Sequence, residues 1–185
     1  QQSQTPHPAG ILARFPFVRN GRTSGHSATH PGKEISDGDF TACLRNGREH
    51  HFLLHLPGNE SLMCEQVDIG IRLARLPRHI EGMTIVHLSD LHFTGKIGLD
   101  YYRQAMEHTN SLQPDLIFVT GDIVDRNDCV DDAARILSGL RARHGVFFVL
   151  GNHDLRADPS AVRMALSEAG LTDVGGRVVR LSLDG

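Results

Sequence analysis

The chain has 185 residues, a formal net charge of −3, 39% apolar residues and 22% charged residues. At about 150 residues per domain, this length predicts one folded domain with a short appendage, and the apolar content excludes a wholly disordered chain. The slight acidic excess argues against nucleic acid as a partner. The sequence contains no run of about 18 apolar residues, so no membrane span is predicted.

The sequence opens on Gln1 without the basic and apolar regions of a signal peptide. We therefore expect no signal or transmembrane segment within this chain, and its localisation stays open between the cytoplasm and a membrane surface. Its 3 cysteines lack a C-x-x-C spacing, which predicts neither a disulfide framework nor a cysteine zinc site.

Residues 1–65 contain many glycines and prolines and lack a sustained apolar period, which predicts an irregular head of unknown role. Its one apolar run, residues 52–56, predicts a short strand. The pattern changes at residue 66, so we treat residues 66–185 as a separate folded region. This region begins with alternating apolar residues that predict a half-buried strand: Val67, Ile69, Ile71 and Leu73.

After Gly82 the chain alternates between short apolar runs and stretches with a helical apolar period. The apolar runs predict strands at residues 84–88, 116–119, 146–150 and 177–183. Three helices are predicted from these apolar stripes: Tyr102, Ala105, Met106, Thr109 and Leu112; Val130, Ala133, Ala134, Leu137 and Leu140; Val162, Ala165, Leu166 and Ala169. Asp100 and Asp158 are placed to cap the first and third helices, and Gly170 is placed to end the third.

This alternation predicts an α/β fold: a largely parallel sheet with right-handed crossovers and flanking helices, covered on both faces. Ligands of such sheets bind beyond the carboxyl ends of the strands. Polar motifs follow three of the predicted strands at that edge: Asp90-x-His92, Gly121-Asp122-x-x-Asp125 and Gly151-Asn152-His153-Asp154.

The three motifs offer carboxylate, imidazole and amide groups, which suit a divalent metal such as manganese, iron or zinc. Asp90 and His92 are two residues apart, so an extended segment would turn both to one side. Taken singly, each motif also fits a helix cap, a buried histidine or an ordinary turn. Their occurrence in order, each at the end of a predicted parallel strand, favours a metal site, and Gly121 and Gly151 permit bends that aim the next residue.

These motifs resemble the signature of the calcineurin-like metallophosphoesterase superfamily. The sequence around them is similar to a bacterial, often membrane-associated branch that includes UDP-2,3-diacylglucosamine pyrophosphatases. The resemblance covers roughly residues 67–185 and implies the first half of a layered α/β/β/α sandwich.

The resemblance implies hydrolysis of a phosphodiester, phosphomonoester or pyrophosphate by a hydroxide that bridges two divalent metal ions. It assigns Asp90 and His92 to the first metal, Asp122 to both metals and Asn152 to the second. The substrates it implies are small-molecule or lipid-linked phosphoesters. Membrane association of the full-length protein is compatible with this assignment.

The resemblance also implies that His153 faces the substrate and protonates the leaving alkoxide or stabilises its charge. Asp154 is then expected to hold the other ring nitrogen of His153 and so fix its tautomer. Asp125 is expected to brace the turn. Arg126 either contacts phosphate or is a solvated surface residue.

The superfamily pattern continues with a further histidine and a Gly-His-x-His segment, and neither follows His153 in this sequence. We therefore expect the amino-terminal part of a longer enzyme, with a sheet that exposes an apolar face. The alternative is a non-catalytic metal-binding or interaction module that lacks these histidines. A nucleotide-binding doubly wound domain is disfavoured, because no glycine-rich phosphate loop follows any predicted strand.

Overall fold

The computed structural model describes residues 10–18, 33–34, 64–73 and 75–183, the first two ranges as backbone only. Within these residues the strands are β1 (Gly10–Val18), β2 (Lys33–Glu34), β3 (Cys64–Arg72), β4 (Thr84–Leu88), β5 (Leu116–Thr120), β6 (Val146–Val149) and β7 (Thr172–Asp173). The α-helices are α1 (Leu99–Ser111), α2 (Val130–Leu137) and α3 (Pro159–Glu168). The strand predicted for residues 52–56 lies outside the described residues.

The described strands form one sheet in the order β2-β3-β1-β4-β5-β6-β7. Strands β4 to β7 run parallel, β1 pairs parallel with β4, and β3 runs antiparallel to both β1 and β2. The head predicted for residues 1–65 therefore supplies β1 and β2 to the sheet of the region predicted for residues 66–185.

The predicted α/β fold, a largely parallel sheet with flanking helices, is confirmed, and the three described helices pack against one face of the sheet. Strands β4, β5, β6 and β7 follow one another across the sheet without a reversal. Right-handed crossovers in one direction place every connecting helix on the same side. The main core lies between the two layers and includes Val86, Ile117, Phe148, Tyr102, Leu137 and Leu166.

The helices confirm most of the predicted stripes and one of the two predicted caps. Asp158 caps α3, since its carboxylate accepts hydrogen bonds from the backbone N–H groups of Ser160 (3.0 Å) and Ala161 (3.1 Å). Helix α1 begins without a side-chain cap, so the cap predicted at Asp100 is wrong; this residue lies inside the first turn. None of the described helices has the length and apolar composition needed to cross a bilayer.

The last strand lies earlier in the chain than predicted. β7 pairs with β6 at Phe147 and Phe148, whereas residues 178–183 are not in a strand. A turn at residues 175–176 follows β7, and Val178 beyond it is 92% exposed. Because β7 already occupies the position beside β6, the predicted apolar run does not extend the sheet there.

The face of the sheet opposite the helices is only partly covered in the described residues. The alternation along β3 predicted a half-buried strand with its apolar face covered, yet Ile69 and Ile71 are each 40% exposed. Register explains their exposure: Ile69 pairs with Ala13, which pairs with Ile85, and Ile85 packs into a separate cluster away from the helices. The described part of the sheet therefore exposes apolar side chains, as expected.

Candidate metal centre

Three loops meet at the carboxyl edge of the parallel strands. The first loop (residues 89–93) follows β4, the second loop (residues 121–125) follows β5, and the third loop (residues 151–154) follows β6. Since these strands are parallel neighbours, their carboxyl ends lie side by side, where the sequence predicted a binding site.

Main-chain hydrogen bonds join the first and second loops beyond the ends of their strands. The bonds of this ladder run from Asp90 N–H to Gly121 O (3.2 Å), His92 N–H to Asp122 O (2.9 Å), Phe93 N–H to Ile123 O (2.8 Å) and Asp125 N–H to Phe93 O (3.2 Å). The two loops are therefore held as one unit.

Polar residues of these two loops adopt left-handed backbone conformations, with φ of 57° at Asp90, 45° at His92 and 51° at Asp122. Few residues other than glycine do so, although aspartate and histidine do so more often than most. Such strain persists where the surrounding structure enforces it, and it is concentrated at functional sites. The first loop thus brings Asp90 and His92 together by a left-handed bend and not, as predicted, through an extended segment.

The second and third loops pass so close to each other that glycine is required. A Cβ atom on Gly151 would lie 2.2 Å from Asp122 Oδ1 and 2.4 Å from Asp122 N, and a Cβ atom on Gly121 would lie 2.7 Å from Gly151 Cα. Gly121 also has a φ of 82°, which favours glycine. Gly121 therefore permits the predicted bend, and both glycines permit the close approach of the two loops.

Asp90, His92 and Asp122 form a compact group that fits a divalent metal ion. His92 Nε2 lies 3.8 Å from Asp90 Oδ1 and 4.0 Å from Asp122 Oδ2. Ligand atoms that each lie about 2.0–2.2 Å from one shared ion are themselves roughly 3–4 Å apart, so the group needs little movement to bind one. The Asp90 side chain is 50% exposed, which leaves this side of the group open to solvent.

Asp125 lies between two imidazole rings. Its Oδ1 atom is 2.8 Å from His92 Nδ1 and 2.7 Å from His153 Nδ1. The carboxylate can only accept, so each Nδ1–H donates a hydrogen bond to it, and in the neutral imidazole Nε2 of His92 carries the lone pair that a metal ligand needs. Burial alone would raise the pKa of Asp125, but hydrogen bonds to His92 and His153 and their charge outweigh burial and lower it.

Asp154 is fully buried and holds the loops together. Its Oδ1 accepts hydrogen bonds from the N–H groups of Ile123 (2.9 Å) and Val124 (2.8 Å), and its Oδ2 accepts one from Gly151 (2.9 Å). The sequence assigned the His153 ring to Asp154 and the bracing of the turn to Asp125. The structure exchanges these contacts, because the Asp154 side chain turns beneath the loops while Asp125 lies beside both rings.

Asn152 and Arg126 lie on the exposed side of these loops. The third loop contacts the group next to Asn152, where the backbone N–H of His153 donates to Asp122 Oδ1 at 2.9 Å. Arg126 pairs with Asp128 and its side chain is 58% exposed. Metal binding by Asn152 and phosphate contact by Arg126 stay predictions.

Sequence reasoning missed several supporting contacts. The Ser89 hydroxyl donates a hydrogen bond to the Asp90 carboxylate, and the Tyr102 hydroxyl donates one to the carbonyl oxygen of His92 (3.1 Å). The His87 ring contacts the Thr120 hydroxyl. Burial lowers the pKa of His87 against the opposing attraction of Asp90. Tyr102 was assigned only to the apolar stripe of α1, because periodicity does not reveal where a buried hydroxyl points.

The profile of the family described as calcineurin-like phosphoesterase matches residues 83–176. This range contains all three loops. No solved structure matches the chain.

Curated relatives match a similar part of the chain. A transmembrane protein with metallophosphoesterase domain from Danio rerio is 33% identical over 89 residues, which cover 48% of this chain and 20% of that protein. An uncharacterized metallophosphoesterase from Bacillus subtilis is 32% identical over 114 residues, covering 60% of this chain and 40% of that protein. A UDP-2,3-diacylglucosamine pyrophosphatase from Chlamydia muridarum is 34% identical over 85 residues, which cover 43% of this chain and 26% of that protein. The chain thus spans between 20% and 40% of the length of these relatives.

Proposed function

This chain belongs to the calcineurin-like phosphoesterase family, and on that basis we propose that it carries metal ligands and a proton donor of a metal-dependent phosphoester hydrolase. The observation that carries the proposal is the approach of His92 Nε2 to carboxylate oxygens of Asp90 (3.8 Å) and Asp122 (4.0 Å). The reaction is the hydrolysis of a phosphodiester, phosphomonoester or pyrophosphate.

Asp90, His92 and Asp122 would hold the first divalent metal ion, and Asp122 and Asn152 would hold the second. The role of Asp122 at both metals is supported by its two oxygens, since Oδ2 faces His92 and Oδ1 accepts the backbone N–H of His153 in the third loop. When bound, such a pair of ions lowers the pKa of water to supply a nucleophile and neutralises charge on the phosphoryl group.

His153 donates a proton to the leaving oxygen of the substrate. Its Nδ1 is bonded to Asp125, so the opposite nitrogen, Nε2, is the atom that meets the substrate. The ring is one third exposed (34%) and packs edge-on against the ring of His92 at 4.7 Å. This contact keeps the proton donor next to the metal group while leaving it accessible.

A phosphodiester or pyrophosphate, including one linked to a lipid, is the substrate class that we favour. The support is the relative named as a UDP-2,3-diacylglucosamine pyrophosphatase, which is 34% identical to this chain over 85 residues. Asp90 is half exposed, so the metal group is open enough for a bulky substituent on the phosphorus.

The proposal predicts that Asp122→Asn lowers the Mn²⁺-dependent hydrolysis of bis(p-nitrophenyl) phosphate at least about 100-fold, since the amide supplies one neutral oxygen where two charged ones are needed. Release of p-nitrophenolate by the purified protein measures the effect. Asp132→Asn is the matched control, because Asp132 lies on the exposed side of α2. The proposal fails if the unaltered full-length protein hydrolyses the ester no faster than its Asp122→Asn variant does. Metal binding without hydrolysis would instead favour the non-catalytic module.

His153→Ala is predicted to lower kcat roughly 100-fold while the bound metal content stays unchanged, because a proton donor is removed and no ligand is lost. Turnover and elemental analysis of the same sample provide the two measurements. His144→Ala, in the loop that precedes β6 at the opposite edge of the sheet, is the control. Loss of metal from His153→Ala would instead place His153 among the ligands.

A further inference from the structure

The left-handed backbone of His92 must be held in place if its imidazole is to stay beside Asp90 and Asp122. The peptide unit before His92 is fixed by the ladder, since its N–H donates to Asp122 O at 2.9 Å. The peptide unit after His92 is fixed at one end by the N–H of Phe93, which donates to Ile123 O at 2.8 Å. The carbonyl oxygen of His92 forms the other end of that second unit.

A side chain of helix α1 forms a hydrogen bond with this carbonyl oxygen. The hydroxyl of Tyr102 donates to the carbonyl oxygen of His92 at 3.1 Å. Tyr102 is 1% exposed, and its ring stacks on that of Phe93 with centroids 3.9 Å apart and planes 17° apart. The ring and the hydroxyl of Tyr102 therefore both restrain the peptide unit that follows His92.

Helix α1 is a suitable anchor for such a contact, because it is packed into the main core. Its residues Ala105, Met106 and Thr109 are buried, and Ala105 and Met106 belong to the main core. A side chain that projects from a rigid helix positions a loop more accurately than another loop can.

We infer that Tyr102 is a positioning residue for the metal ligand His92: its hydroxyl locks the peptide unit after His92 and so holds the left-handed backbone that directs the imidazole toward Asp90 and Asp122. The inference rests on the proposed function in taking His92 as a ligand. Tyr102 itself contacts neither the metal nor the substrate. Without the Tyr102 hydroxyl, the peptide unit after His92 would be held only by the hydrogen bond from the N–H of Phe93, and it could rotate about that hydrogen bond.

The test compares Tyr102→Phe with Tyr101→Phe in the complete chain. Both substitutions remove one hydroxyl from a buried tyrosine of α1, and both keep a ring, but only Tyr102→Phe removes the bond to His92. Titration with Mn²⁺ should give a dissociation constant about tenfold higher for Tyr102→Phe, as for other groups that support metal ligands. Tyr101→Phe should stay within about twofold of the unaltered chain.

A second measurement needs no metal. The Nδ1 proton of His92 donates to Asp125 at 2.8 Å, so its NMR resonance reports the position of the ring. We expect this resonance to move in Tyr102→Phe and to stay unchanged in Tyr101→Phe, with wild-type circular dichroism for both variants. Equal affinity and unmoved resonances in the two variants would overturn the inference. Absence of Mn²⁺ binding from every variant and from the unaltered chain would refute the proposed function, and the resonance would then decide the role of Tyr102 alone.

Discussion

Gly151→Ala is expected to weaken Mn²⁺ binding and to slow phosphoester hydrolysis, by at least about 10³-fold in total. A displaced ligand binds the ion less well and also misplaces the reacting groups, and these two losses combine. The new Cβ atom would lie 2.2 Å from Asp122 Oδ1 and 2.4 Å from Asp122 N. The third loop must then move away, or the Asp122 carboxylate must rotate out of its place beside His92. Calorimetric titration with Mn²⁺ and a hydrolysis assay measure the two losses.

Gly70→Ala is the matched control for this prediction. A Cβ atom on Gly70 has nothing within 4 Å, so the same chemical change meets open space. We expect this control to keep the affinity of the unaltered chain. Retention of that affinity by Gly151→Ala would contradict the close packing of the second and third loops.

Asp154→Ala is expected to lower the free energy of unfolding by about 3–5 kcal/mol, because several buried N–H groups lose their shared acceptor. The substitution removes the acceptor from the N–H groups of Ile123, Val124 and Gly151, and an unsatisfied buried donor costs about 1–3 kcal/mol. Asp154→Asn should lose less, because one oxygen remains for Ile123 and Val124 while its NH₂ group opposes the N–H of Gly151. Urea denaturation of the metal-free chain measures both changes.

The control for Asp154→Ala is Asp132→Ala on the surface of α2. The Asp132 side chain is 42% exposed and pairs with Arg135, and exposed ion pairs of this kind contribute about 0–1 kcal/mol. A loss from Asp154→Ala no greater than that from Asp132→Ala would show that the buried carboxylate is not needed to hold the loops.

The location of the candidate site was predictable from the sequence because it follows from strand ends. Each motif comes directly after an apolar run, and neighbouring parallel strands bring their carboxyl ends together, so the three motifs were expected to meet there. The family resemblance then singled out Asp90, His92, Asp122 and Asn152 as the expected ligands. The helix stripes and the cap at Asp158 were predictable for a similar reason, since both depend on neighbours within a few residues along the chain.

Features that depend on the path of the chain through space were not predictable in this way. The position of the helices on one face follows from strand order, which local periodicity does not contain. The exchange of contacts between Asp125 and Asp154 depends on how two loops cross, and each aspartate taken alone suits either role. The exposure of Ile69 depends on its register with β1 and β4, because alternation predicts two faces without saying which is covered.

The main-chain ladder between the first and second loops limits where insertions and deletions can be accepted during the evolution of this protein. Since the N–H groups of Asp90, His92 and Phe93 each meet one particular carbonyl, inserting or deleting a single residue in either loop would shift every later pair and carry the side chains away from one another. Length variation among functional descendants should therefore be confined to connections outside the ladder, such as residues 94–98 or the turn that precedes β6.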